Sequence, residues 1–234
     1  MISFIVPAHN EAQLLGATLT ALLDAAARAG QACEAIVVDD ASTDATAQVA
    51  ARLGARVIRV EHRQIAATRN AGARAASGDL LVFVDADTLI DAALLSAAVA
   101  AIADGAVGGG ATVRLQGTPA WHERWVVAAL GWAFRLTGIA PGCFVFCTRS
   151  AFFAVGGFDE GYYAAEDVAI SRALARIGHF VILREHARTS DRKLRTHSVA
   201  EHLRLIVSFA WRGRGMLKSR RDLGLWYGER RDKP

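Results

Sequence analysis

The sequence predicts an α/β fold: three layers, α/β/α, with a mostly parallel sheet and helices on both faces. Three observations predict it. From residue 1 to about residue 90, short apolar runs alternate with helix-like stretches as β-α-β-α-β-α-β, the order that gives parallel strands joined by right-handed crossovers. Leu80-Leu81-Val82-Phe83-Val84 is apolar without alternation, as in a strand buried on both faces. Pro7 to Glu11, Asp39-Asp40 and Asp85-Ala86-Asp87 each follow the end of a predicted strand, so they converge on one edge of the sheet, where open α/β sheets bind ligands. With 234 residues, 53% of them hydrophobic, the chain has enough apolar surface for one sizeable core.

In order, Ser3–Pro7 is the first strand, with Pro7 at its end because proline cannot donate to a ladder. Asn10 is placed to cap a helix from about Glu11 to Ala29, stopped by Gly30. Ala35–Asp40 is the second strand. Ser42-Thr43-Asp44 opens a helix to about Leu53, and Arg56–Val60 is the third strand. Gln64–Ala76 is a helix broken by Ser77-Gly78, and the fourth strand runs from Leu80 to Asp85. A helix follows from Asp91 to Ala103. Ala106–Leu115 is loop-like at Gly108-Gly109-Gly110 and then reads as an edge strand.

Trp121 to Leu136 reads as a helix carrying Trp121, Trp125, Trp132 and Phe134. Shorter than a bilayer span and interrupted by Arg124 and Arg135, it suits a core, a bilayer surface or a wall of an acceptor site. Pro141–Phe146 returns as a strand, and Ser150 caps a short helix to Val155. Gly156–Glu160 is a sharp turn. Val168, Ile170, Leu174 and Ile177 then mark a helix packed on the sheet and ended by Gly178. Glu166 and Asp167 sit at its N-terminus, where the macrodipole favours ionised carboxylates. His179–Leu183 is the last strand, and a helix from about Ser198 to Trp211 lies in the basic segment that follows.

Charge is unevenly spread. Residues 184–234 carry 14 Lys and Arg against 6 Asp and Glu, while residues 1–183 carry 13 against 17. A basic extension on a mildly acidic body suits an anionic partner or a solvated helix surface. The three cysteines, Cys33, Cys143 and Cys147, form no CxxC pair and read as reduced thiols. No apolar stretch reaches the ~18 residues of a membrane span, and residues 1–8 lack the basic n-region of a signal peptide. The expectation is a cytoplasmic protein, soluble or peripheral at the membrane face.

Asp85 and Asp87, one residue apart on a turn leaving a strand, suit a hard divalent cation with positions open to phosphate oxygens. The plainer alternative makes one of them the cap of the helix near Asp91. Neither GxGxxG nor GxxxxGK[ST] occurs where a phosphate loop would need it, which argues against a dinucleotide dehydrogenase and a P-loop NTPase. Arg69 is placed to offer a fork-shaped donor to phosphates.

Together Val6-Pro7-Ala8-His9-Asn10-Glu11, Val37-Val38-Asp39-Asp40-Ala41-Ser42-Thr43-Asp44, Ala67-Thr68-Arg69-Asn70-Ala71-Gly72, Asp85-Ala86-Asp87, Gly156-Gly157-Phe158-Asp159-Glu160 and Glu166-Asp167 resemble the motifs of family 2 glycosyltransferases of the Rossmann-like GT-A fold. The resemblance implies a catalytic domain over residues 1–183, with a nucleotide-sugar half (1–115) and an acceptor half (116–183), and a basic, helical extension over 184–234. It implies an inverting transfer from a UDP- or GDP-linked sugar to a hydroxyl. Pro7, Ala8, Asn10 and Glu11 would line base and ribose, and Asp40 would read the base edge. Arg69 would lie near ribose or diphosphate, Ala86 would be among the nucleotide-binding residues, and Asp85 and Asp87 would hold Mg²⁺ or Mn²⁺, Asp87 directly. Asp167 would be the general base, with Glu166 beside it on the acceptor side. A third metal ligand would come from His186 or His197. The partners it implies are the nucleotide-sugar donor and a glycan or lipid-linked acceptor, with no nucleic acid; the basic C-terminal region and the Trp-rich helix suit peripheral contact with a membrane surface. A nucleotidyltransferase would show a Gly-rich basic loop where Pro7-Ala8-His9-Asn10-Glu11 stands. A non-catalytic nucleotide-sugar scaffold would have little need of Asp85, Asp87 and Asp167 together.

Overall fold

The structure is a computed structural model and describes residues 1–115, 140, 142–162 and 165–190. Its parallel half is built from β1 (Ile2–Ala8), β2 (Cys33–Asp40), β3 (Arg56–Val60) and β4 (Leu80–Val84), connected by α1 (Leu15–Arg28), α2 (Thr46–Arg52) and α3 (Ile65–Ala75). The chain continues through β5 (Thr88–Leu89), α4 (Ala92–Ala103), β6 (Gly108–Leu115), β7 (Phe144–Thr148), α5 (Arg149–Ala154), α6 (Glu166–Ile177) and β8 (Phe180–Thr189). The strand order is β3-β2-β1-β4-β7-β6-β8-β5. β1–β2, β1–β4, β2–β3 and β6–β8 pair in parallel, while β4–β7, β6–β7 and β5–β8 are antiparallel. The sheet is therefore mixed, and its first four strands form the wholly parallel part.

Helices cover both faces, which explains why the central strands do not alternate. On one face Phe4 and Val6 of β1 and Val82 and Val84 of β4 pack with Leu15, Leu19 and Leu22 of α1 and Leu94 and Leu95 of α4. On the other, Ile5, Leu81 and Phe83 pack with Ala66 and Ala73 of α3, Phe152 of α5 and Ile170 and Leu174 of α6. Phe83 anchors this second layer, 5.2 Å from the Phe152 ring and 5.0 Å edge-on to Phe158. Each such large side chain contributes roughly 1.5–3 kcal/mol on burial.

Several elements differ from the sequence expectation. Pro7 is the second-to-last residue of β1, which runs one residue further to Ala8. β4 flanks β1 only up to Ile5, so at Pro7 only β2 is alongside. Asn10 does not cap a helix: α1 starts at Leu15 without a side-chain cap, and Asn10 itself is left-handed (φ 53). α2 starts at Thr46, later than Ser42-Thr43-Asp44 suggested. Thr148, not Ser150, caps α5, accepting from Ala151 N at 3.1 Å. Asp91 caps α4 through Leu94 N at 2.9 Å, so the cap reading of Asp85 and Asp87 falls. β6 is no edge strand but lies between β7 and β8. Its glycines are needed there, since a Cβ at Gly109 would stand 2.7 Å from the Phe146 ring and one at Gly110 2.9 Å from the Phe144 carbonyl. The last strand runs on to Thr189, and the short β5 pairs with its end. The expected helices at 121–136 and 198–211, along with Pro141 and His197, lie outside the described residues.

Candidate active site

Arg69 links side chains gathered at the strand-end edge of the sheet. It sits on α3 at 1% exposure, beneath the end of β4. Its Nη1 donates to Glu166 Oε1 at 2.8 Å, and its Nη2 to Asp85 Oδ1 at 2.8 Å and the Gly142 carbonyl at 2.7 Å. Its Nε has no partner among the described residues, and its guanidinium lies over the Phe158 ring at 5.3 Å. Burial alone would lower its pKa, but Asp85 and Glu166 hold it above the ordinary value, so Arg69 stays charged.

The same motif explains its neighbours. Asn70 Nδ2 donates to the Phe158 carbonyl and to Glu160 Oε1, both at 2.9 Å, while its Oδ1 accepts from Phe158 N at 3.0 Å. Gly157 is left-handed (φ 77), and a Cβ there would stand 2.8 Å from Asn70 Oδ1. The turn at Gly156–Glu160 is thus clamped onto α3 by one amide side chain.

Glu166 and Asp167 open α6 after Ala165, which is held left-handed (φ 63). Burial raises the pKa of both carboxyls, and Arg69 opposes it. Asp167 Oδ1 also accepts from Val168 N at 2.8 Å. Gly142 packs against this pair of elements: a Cβ on it would stand 3.2 Å from Asp167 Oδ2 and 3.5 Å from Arg69 Nη2.

The loops after β1 and β2 are zipped together. Asn10 N donates to Ser42 Oγ (3.0 Å), Glu11 N to Thr46 Oγ1 (2.9 Å), and Thr43 N back to Asn10 Oδ1 (2.8 Å). His9 Nδ1 lies 2.7 Å from the Asp40 carbonyl, so that nitrogen carries the proton. Asp40 is committed to the entry of α3, accepting from Arg63 N (2.8 Å), Gln64 N (3.2 Å) and Thr68 Oγ1 (2.8 Å). Among the described residues the non-glycine positions with positive φ are Asn10, Ala41, Arg63 and Ala165. All four lie in loops bordering this crevice, and strain of that kind collects at functional sites.

The turn after β4 is held from three sides. Asp85 N donates to the Cys143 carbonyl at 3.3 Å. Thr18 Oγ1 of α1 donates to the Ala86 carbonyl at 2.9 Å. On the β8 side, Ser190 N donates to the Asp87 carbonyl at 3.2 Å and Thr189 Oγ1 to Asp87 Oδ1 at 3.4 Å. Two carboxylates on one turn fit a hard cation that keeps most of its positions for water and phosphate. Among the described residues no three His, Cys, Asp or Glu converge as a metal site. His186 Nδ1 is 2.5 Å from Thr112 Oγ1. Pro7 and Ala8 end β1 on the same edge. Sequence reasoning missed Thr18, whose partner lies 68 residues away, and Gly142, whose role shows only against Asp167 and Arg69.

Residues 3–159 match the profile of glycosyl transferase family 2. The chain belongs to that family. Proteins of Mycobacterium bovis and Mycobacterium tuberculosis, described as uncharacterized glycosyltransferases, are 37% identical over 105 residues. That stretch is 45% of this chain and 45% of theirs, so the match spans less than half the length of these relatives. A mannosyltransferase of Pyrobaculum calidifontis, solved with GDP-Man and Mn²⁺, superposes with a TM-score of 0.69 at 23% identity, over 88% of this chain and 59% of its own. Staphylococcus aureus TarS with UDP-GlcNAc gives 0.61 at 20% identity, over 81% of this chain and 58% of its own. Mannosyl-3-phosphoglycerate synthase of Rubrobacter xylanophilus gives 0.64 at 18%, over 94% and 76%. At these identities the likeness establishes the fold, which is GT-A-like. Among the described residues no helix is long and apolar enough to cross a membrane.

Proposed function

We propose that this protein transfers a sugar, with inversion, from a UDP- or GDP-linked donor to a hydroxyl acceptor in glycan, polysaccharide or glycolipid synthesis. The observation that carries the reading is the Arg69 bridge, which draws the acid pair opening α6 to the same strand-end crevice as Asp85. The donors bound by the structural neighbours, GDP-Man and UDP-GlcNAc, support a nucleotide sugar there.

The crevice loops Pro7–Glu11 and Asp40–Thr43 border the nucleoside. Mg²⁺ or Mn²⁺, held by Asp87 directly with Asp85 beside it, would neutralise charge on the departing diphosphate. Asp167 takes the hydroxyl proton as the acceptor oxygen attacks the anomeric carbon and the carbon–oxygen bond to the diphosphate breaks. One displacement from the opposite face inverts the centre without a covalent sugar–enzyme intermediate. A base held above the ordinary aspartate pKa, by burial first, lies nearer operating pH and accepts the proton more readily. The acceptor is a glycan or lipid-linked hydroxyl, and residues 184–234 supply contact with an anionic membrane face. Failure to bind anionic vesicles at low salt removes that membrane contact.

The test is a melting screen with UDP, GDP, CDP and dTDP and their sugars, with and without Mn²⁺. A ligand bound only by the native state raises the melting temperature, by about 2.7 kcal/mol of stabilisation at a hundredfold excess over Kd. A metal-dependent rise with one nucleotide names the donor. No rise with any of them rejects the donor site.

A further inference from the structure

We infer that Arg69 is a positioning residue that does not touch the donor: it locks Asp85 of the donor half to Glu166 of the acceptor half, and thereby sets where Asp167 stands. This rests on the assignment of donor and acceptor halves proposed above, and it departs from the expectation that Arg69 reaches ribose or diphosphate. At 1% exposure the guanidinium offers a ligand almost no surface. Three of its five N–H donors are already used, on Glu166, Asp85 and the Gly142 carbonyl. Phe158 covers its face, and that residue is itself clamped by Asn70 of the same helix.

The three partners come from three separate parts of the chain. Asp85 follows β4, Gly142 precedes β7 and Glu166 opens α6. In sequence Asp85 and Glu166 are 81 residues apart, yet one planar fork joins them. Glu166 is continuous with Asp167 in the first turn of α6, and Gly142 packs on both Arg69 and Asp167. The fork therefore holds the base at a defined place relative to the donor turn. Lysine keeps the charge but presents a single ammonium in place of a planar fork, so it cannot reproduce all three bonds in this geometry.

The experiment compares Arg69→Lys, Glu166→Gln and the double variant with the wild type. It reads kcat and donor KM, and separately the melting shift produced by nucleoside diphosphate with Mn²⁺. For Arg69→Lys the expected result is a kcat fall of about 30-fold or more. Donor KM stays within about threefold and the nucleotide shift persists. The double variant falls no further than Arg69→Lys alone, because one linkage has been broken twice. A lost nucleotide shift, or a donor KM raised about tenfold with kcat intact, would put Arg69 on the donor and overturn the inference. Losses that multiply across the two sites would also overturn it. If Arg69→Lys does not fold, Glu166→Gln decides: kcat must fall while the nucleotide shift stays, and an unchanged kcat ends the inference. Asp87→Asn separates the two levels. If it keeps the Mn²⁺-dependent shift, the assignment of halves fails and the inference with it. If it loses that shift and Arg69→Lys contradicts the expectation, the inference alone fails.

Discussion

At the residue scale, Asp167 shows chemistry and stability pulling apart. Its folded pKa is raised, by burial first, so the ionised form that the proposed general base needs for proton removal is the form the fold disfavours. The penalty grows as pH rises from the ordinary aspartate value through the folded value, is complete above that and is absent when both states are protonated. Asp167→Asn is therefore expected to lose about 10²–10⁴ in turnover while melting higher than the wild type at pH 7.5. The advantage should vanish below the ordinary aspartate range. Paired turnover and melting curves across pH check both halves; an Asn variant that melts lower at pH 7.5 contradicts the argument. Asp40 makes the opposite case. Its carboxylate accepts three bonds that fix the start of α3, so Asp40→Ala leaves the buried Gln64 N–H without its acceptor, at about 1–3 kcal/mol. Urea unfolding should show that loss without any nucleotide present, which a residue serving only to read a base would not.

At the element scale, α3 shows why parts of the site were legible in the sequence. Ala67-Thr68-Arg69-Asn70-Ala71-Gly72 stood out as a motif because nearly every position has its own contact: Thr68 with Asp40, Arg69 with the acids, Asn70 with Phe158, Gly72 with the sheet. A Cβ on Gly72 would run into Ile5 and stand 2.9 Å from Val38 Cγ2. Gly72→Ala is thus expected to cost about 1–3 kcal/mol by overpacking, a melting drop of roughly 2–4 °C per kcal/mol for a chain of this size. It should also lower kcat through Arg69; calorimetry and turnover on one preparation check the pair. What stayed hidden was set by partners far away in sequence. Gly108-Gly109-Gly110 read as loop because local propensity cannot register the Phe146 ring and the Phe144 carbonyl that exclude a Cβ. Asn10 read as a helix cap because the same short amide that caps a helix also tolerates a left-handed turn and bonds across to Thr43.

At the scale of the whole molecule, the reading of a strand-end crevice held because strand polarity is a global property that local runs report well. Once β1, β2 and β4 are parallel, every loop after them falls on one edge. The mixed half was less visible, since β5 has only two residues and β8 pairs with both β6 and β5. This asymmetry carries a prediction. The loops proposed to border the donor belong to the parallel half and are tied to one another through side chain–backbone bonds: residues 10–12 to 42–46, and residue 86 to α1. The acids proposed for the acceptor side open α6, and Glu166 meets that half at Arg69. Nucleoside diphosphate with Mn²⁺ is therefore expected to slow amide exchange in 9–12, 41–46 and 85–88 together. The outer turns of α6, from about Arg172 onward, should be unchanged, because local openings follow cooperative units. Hydrogen exchange with and without nucleotide reads this directly. Protection spread evenly over α6 and the parallel half would mean that the two halves close as one body. Protection confined to α6 would place the nucleotide on the wrong side of Arg69 for the proposed chemistry.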